Sequence, residues 1–173
     1  MCPLRVLVVE WAGKGARVGR PEPSAVRRER LPALATSVAK ARAIAHNFVA
    51  THCNANAQLT SDIALCVSEA AGNAVAHAYP TPSGDITLTF TQAPSELIVE
   101  VCDEGIGAAA HSPNPGLGLG IKIVQTLSDA TFQPLDKADN GLRVTMRFPC
   151  CPQPVTTPPA LLSGRSAATR SSP

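Results

Sequence analysis

Between Thr60 and Ala78 the sequence writes two faces into a single helix, and no other segment narrows the fold as much. Glu69, Asn73 and His77 stand four apart, and each step of four turns about 40° past a full turn, so the three share one side. Asp62 and Cys66 fall on that side too, while Ile63, Val67, Ala70, Ala74 and Ala78 form an apolar side opposite. Thr60 or Ser61 is placed to cap the start, Asp62 lies where it complements the dipole of the first turn, and Pro80 and Pro82 end the helix. An apolar helical face has to be buried against another layer.

The surrounding pattern supplies that layer. Val38 to Thr51 repeats apolar or small residues at helical spacing (Val38, Ala41, Ala45, Phe48, Val49), and the repeat breaks over 54–58. Asp85 to Thr91 alternates, with Ile86, Leu88 and Phe90 on one side and threonines on the other; Pro94-Ser95 then turns the chain into a strand over 97–102. A third helix is expected over 117–127, followed by strands over 130–134 and 142–148 around a turn at Asp139-Asn140-Gly141. The order α-α-β-β-α-β-β predicts a two-layer α/β sandwich: a mixed, mostly antiparallel sheet with one face covered by helices. Aromatic residues are only 3%, so its core has to be built from Ala, Val, Leu and Ile.

Charge separates the ends from the middle. Residues 1–30 carry seven Arg or Lys against three Glu, and residues 150–173 carry two Arg and no acid. Residues 31–149 hold six basic and ten acidic residues, the reverse of a folded nucleic-acid-binding face. Residues 1–30 read as a disordered basic arm, either an interaction segment or sequence upstream of the true start, and residues 150–173 as a disordered tail rich in Pro, Ser and Thr. A domain over 31–149 is left between them. The six cysteines show no C-x-x-C spacing or companion His cluster, which reads as reduced thiols in a cytoplasmic protein rather than a zinc site. The apolar run at Leu4 to Val9 is short for a signal peptide, and no stretch is long enough for a membrane span.

Three short patterns carry chemistry. Glu69 and Asn73 put an acid and an amide one turn apart; an amide oxygen is a neutral, hard ligand suited to Mg²⁺ that also keeps water and phosphate oxygens. Alone, the pair also suits an ordinary amphipathic helix. The strand over 97–102 runs into Asp103-Glu104-Gly105-Ile106-Gly107, where a fixed carboxylate able to accept from an adenine amino group precedes a backbone open to close approach. Alone, that is also a tight turn with a capping Asp. Asn114-Pro115-Gly116-Leu117-Gly118-Leu119-Gly120 opens the third helix and offers N–H groups and a positive dipole end to phosphate. It matches neither the Walker loop nor the dinucleotide fingerprint.

In this order, Glu69-Ala-Ala-Gly-Asn73-Ala-Val-Ala-His77-Ala-Tyr79, Asp103-Glu-Gly105-Ile-Gly107 and Gly116-Leu-Gly118-Leu resemble the N, G1 and G2 boxes of the histidine-kinase-like ATPase superfamily. Within it, the stretch over 31–149 is most similar to the anti-sigma-factor serine kinases of bacterial partner-switching systems. The resemblance implies the Bergerat ATP-binding fold, with ATP and Mg²⁺ as ligands. It implies Asn73 as the Mg²⁺ ligand, Glu69 as the general base and Asp103 as the adenine-binding acid. Gly105 and Gly107 would line the base pocket, and Gly116, Leu117, Gly118 and Gly120 would form the phosphate loop. Arg42 falls on a surface used for partner contacts, and His77 reads as a helix-end packing residue. The partners implied are a sigma factor and an anti-anti-sigma protein, with a homodimer allowed and no role for nucleic acid or membrane.

Two positions depart from the family pattern. Only eight residues, Ala108 to Pro115, separate the glycine boxes, and none is Lys or Arg. The late Gly-Thr pair reads Gly141-Leu142 and loses a hydroxyl near the base.

Overall fold

A computed structural model describes residues 22–79, 84–106, 117–135 and 140–154. Strand β1 (Ala25–Pro32) leads into helix α1 (Ala35–His52), a two-residue strand β2 (Cys53–Asn54) and helix α2 (Ala57–Asn73), which continues as a π-helical turn, Ala74–Ala78. Strands β3 (Asp85–Gln92) and β4 (Glu96–Asp103) follow, then helix α3 (Leu117–Leu127), strands β5 (Asp129–Pro134) and β6 (Leu142–Pro149), and a short β7 (Cys151–Pro152). The main sheet has the order β1-β3-β4-β6-β5. Each of its four pairings is antiparallel, in keeping with the mostly antiparallel sheet expected.

Register explains why one sheet face takes the helices. Leu88 lies opposite Val101 and Val101 opposite Val144, while Phe90, Val99 and Met146 form the next row. All six are buried. The intervening rows, such as Thr89, Glu100 and Thr145, put polar side chains on the other face. Onto the apolar rows α1 lays Ser37, Ala41, Ala45, Phe48 and Val49, a stripe at helical spacing. Phe48 stacks on Phe90 with ring centroids 5.2 Å apart. α2 adds Ile63, Ala64, Cys66, Val67, Ala70 and Ala71.

Four expectations are corrected. The boundary at Leu31 falls inside β1, whose eight residues all pair with β3; residues 25–30 are sheet, not arm. Residues 150–154 are not all tail, because Cys150 is buried and β7 pairs with β2. Buried Gln92 ties this corner together: its Oε1 accepts from the Cys53 thiol at 2.7 Å, and its Nε2 donates to the Cys150 carbonyl at 2.9 Å. The cap of α2 is Asn56, whose side chain accepts the Leu59 N–H at 2.8 Å. Thr60 and Ser61 lie within the helix and turn their hydroxyls back to the carbonyls four residues earlier, which leaves them nothing to cap with. Asp62 is therefore past the first turn and accepts from Gln58 Nε2. Finally, Cys66 is wholly buried and leaves the polar side of α2; a thiol packs as a small hydrophobe. Of the expected turn at Asp139-Asn140-Gly141, Asp139 lies outside the described residues, and Gly141 has φ 65°, a backbone that favours glycine.

Candidate functional site

Glu69 and Asn73 sit half-buried on the last turn of α2. One turn earlier the Cys66 thiol is pushed up to about 12, first by burial and then by the Asp62 and Glu69 carboxylates. It is an inert neighbour of the acid, not a nucleophile. Past Asn73 the helix widens, and the Ala74 N–H is shared between the carbonyls of Ala70 and Ala71. Single π-helical turns of this kind recur at functional sites. Here the widened turn carries half-buried His77 and brings the Ala78 carbonyl to a neighbouring loop, where the Ile106 N–H donates to it at 2.8 Å.

That loop is the turn after β4. Asp103 ends the strand and is 6% exposed; its Oδ1 accepts the Gly105 N–H at 3.1 Å. Gly105 meets Ala78 so closely that an added Cβ would fall on the Ala78 carbonyl group. The glycine is thus needed for the loop to dock on the helix end, whatever lines the pocket beyond. On the other side the Gly141 N–H donates to the Gly105 carbonyl at 2.8 Å. A Cβ at Gly141 would come within 2.5 Å of the Asp103 carbonyl oxygen. The start of β6 therefore braces the same turn.

The first turn of α3 closes the third side. Gly120 is buried, and a Cβ there would stand 2.7 Å from Glu69 Oε2 and 3.7 Å from Asn73 Nδ2. Both side chains thus end against a glycine in the first turn of α3. The structure brings together Glu69, Asn73, Gly120 and, through Ala78, the Asp103–Gly105 turn. Leu117 and Gly118 begin α3, while Gly107 and Gly116 lie outside the described residues. Arg42 is exposed midway along α1 and makes no hydrogen bond or ion pair among the described residues. Sequence reasoning missed Tyr79, which bridges this turn to β3; its only signal was a lone tyrosine between the helix and Pro80.

An acid and an amide meet the first turn of a helix here, and a buried carboxylate stands on the turn that docks on Ala78, so oxygen acceptors suited to a hard cation or a proton lie on adjoining elements. A family model described as the histidine kinase-like ATPase domain matches residues 31–148. The chain belongs to that family. The ATPase-domain match takes in all three patterns, every element from α1 to β5 and all but the last residue of β6. A curated relative of this ATPase domain, the anti-sigma F factor of Clostridium acetobutylicum, is 29% identical over 97 residues, half of this chain and 67% of that one. Among solved structures, the mycobacterial sensor histidine kinase MprB aligns at 18% identity with a TM-score of 0.48, covering 72% of this chain and 100% of that one. Among the described residues no helix is long and apolar enough to cross a membrane.

Proposed function

We propose that this chain is an ATP-binding anti-sigma factor with protein serine/threonine kinase activity, acting in a bacterial partner-switching system on an anti-anti-sigma antagonist. The observation that carries the reading is the meeting of Glu69 and Asn73 with Gly120, where any side chain at 120 would occupy the space their polar ends face. The curated relative, an anti-sigma F factor, supports the regulatory setting.

The residues present fit Mg–ATP. The Asn73 amide oxygen is the ligand for Mg²⁺, an ion that, once bound, offsets charge on the phosphates. Asp103 accepts from the adenine amino group, and the start of α3 faces the phosphates with its free N–H groups. Leu117, Gly118 and Gly120 belong to that start and Gly116 directly precedes it in sequence, while Gly105 and Gly107 line the base pocket. Glu69 accepts the proton of a serine or threonine hydroxyl as the hydroxyl oxygen bonds to the γ-phosphorus. The bond from that phosphorus to the bridging oxygen breaks, and ADP leaves with the electron pair. Arg42, away from this cluster, belongs to the surface that holds a protein partner.

A second reading is favoured by one feature: residues 108–115 contain no Lys or Arg to contact a γ-phosphate. In that reading the chain holds ATP and sequesters a sigma factor or regulator without appreciable transfer. Incubation with labelled ATP and candidate antagonists separates the two. Glu69→Gln should still bind ATP but transfer about 10² to 10⁴ times more slowly, the range for loss of a general base. Transfer at the normal rate by Glu69→Gln would remove Glu69 from the mechanism, and a wild type that transfers to no antagonist yet holds a sigma factor would establish the second reading.

A further inference from the structure

The link between the π-helical turn and the Asp103 loop is made by the one tyrosine in the chain. The Tyr79 hydroxyl donates to the Asp85 carbonyl at 2.7 Å and accepts the Glu104 N–H at 3.0 Å. A single side chain thus ties the first residue of β3 to the residue that follows Asp103. Its ring lies on Gly84, where an added Cβ would fall on the ring carbons. Glu104 itself is exposed, so its N–H could as well face water, yet it is held. With Ile106 bonded to the Ala78 carbonyl, the turn carrying Asp103 and Gly105 is fastened at both ends to consecutive residues of one segment. Burial raises the Tyr79 phenol above its ordinary range, so the hydroxyl stays protonated and able to donate. Bracing of this kind holds an acceptor within the narrow angular range a hydrogen bond requires.

We propose that Tyr79 is the positioning residue for base recognition: its hydroxyl bridge between Asp85 and Glu104 sets the Asp103 carboxylate where it reads the exocyclic amino group of adenine. This rests on the nucleotide-binding reading above and adds to it a residue that touches no ligand.

Tyr79→Phe keeps the ring on Gly84 and removes both hydrogen bonds. Calorimetric titration of the full chain with Mg–ATP and with purine riboside triphosphate, which lacks the amino group, reads the consequence. ATP affinity should fall about tenfold and that of the deaminated analogue less than about twofold, because only the first uses the placed carboxylate. Equal weakening of both nucleotides would make Tyr79 a general brace and overturn the proposal, as would unchanged ATP affinity. A wild type that binds both nucleotides equally would instead sink the Asp103 reading and take this inference with it. If Tyr79→Phe does not fold, hydrogen exchange of the wild-type Glu104 amide decides. ATP should slow it more than the analogue does, and equal protection would overturn the proposal.

Discussion

Gly105 and Gly120 lack a side chain for different reasons, and the difference sets what alanine does at each. At Gly105 the obstacle is the Ala78 carbonyl, part of a helical backbone that cannot step aside without losing the Ile106 bond. Gly105→Ala should therefore destabilise the chain by about 3 kcal/mol, the upper end for overpacking. At Gly120 the obstacle is the tip of a flexible side chain, Glu69 Oε2, with Asn73 further off. Alanine in a helix gains up to about 1 kcal/mol over glycine, so Gly120→Ala should melt no lower than wild type. Its methyl nevertheless displaces the Glu69 carboxylate, and phosphoryl transfer should drop while the melting temperature holds. Thermal melts and transfer assays on the two variants check both arms; a Gly120→Ala protein with full activity would place the working carboxylate away from α3.

At the scale of elements, β1 shows where sequence patterning stops being informative. The strands β3 and β4 were legible because three successive core-facing positions in each, Ile86, Leu88 and Phe90 and then Leu97, Val99 and Val101, are apolar, with the polar Gln92 and Asp103 only at the strand ends. In β1 the core-facing partners of Gln92, Phe90, Leu88 and Ile86 are Ala25, Arg27, Glu29 and Leu31. Two of the four are charged, so alternation never appears. The pair is tolerated because Arg27 and Glu29 neutralise each other at 2.8 Å on the edge strand, with the Glu29 side chain 9% exposed. The same limit explains the helix start: an Asn cap looks like any loop polar residue until Leu59 bonds to it. The candidate site was legible at Glu69, Asn73, Asp103 and Gly120, where residue type and spacing coincide. It was not legible at Tyr79, whose role depends on β3 and β4 meeting. Removing residues 25–30 would strip the buried Phe90 and Leu88 of their neighbouring strand. A chain beginning at Leu31 should therefore melt well below one beginning at Glu22, by roughly 4 °C for each kcal/mol lost. Equal melting temperatures would show that the sheet does not need β1.

Across the whole molecule, the thiols report on stability and ligand binding together. Cys53 and Cys66 are buried in the core between sheet and helices, while Cys151 is exposed on β7. An alkylating reagent should consume Cys151 quickly and reach Cys53 and Cys66 only when the core opens. Burial pushes the Cys53 and Cys66 thiols up to about 12, with Cys150 adding to the rise at Cys53 and Asp62 and Glu69 at Cys66. A folded state with raised thiol pKa values holds protons that the unfolded chain releases. The stability linked to them is whole below about pH 9 and lost as pH climbs towards 12. Alkylation is therefore to be followed below pH 9, where core opening and not ionisation limits it. A ligand bound only by the folded state lowers the open population by the factor 1 + [L]/Kd, about a hundredfold at 100 Kd. Mg–ATP at that level should slow alkylation of Cys53 and Cys66 by about that factor and leave Cys151 unchanged, because Cys151 needs no opening to react. Slowing at Cys66 alone would mean that nucleotide steadies only the α2 end of the core. No slowing at either would show that the chain does not bind ATP in its folded state.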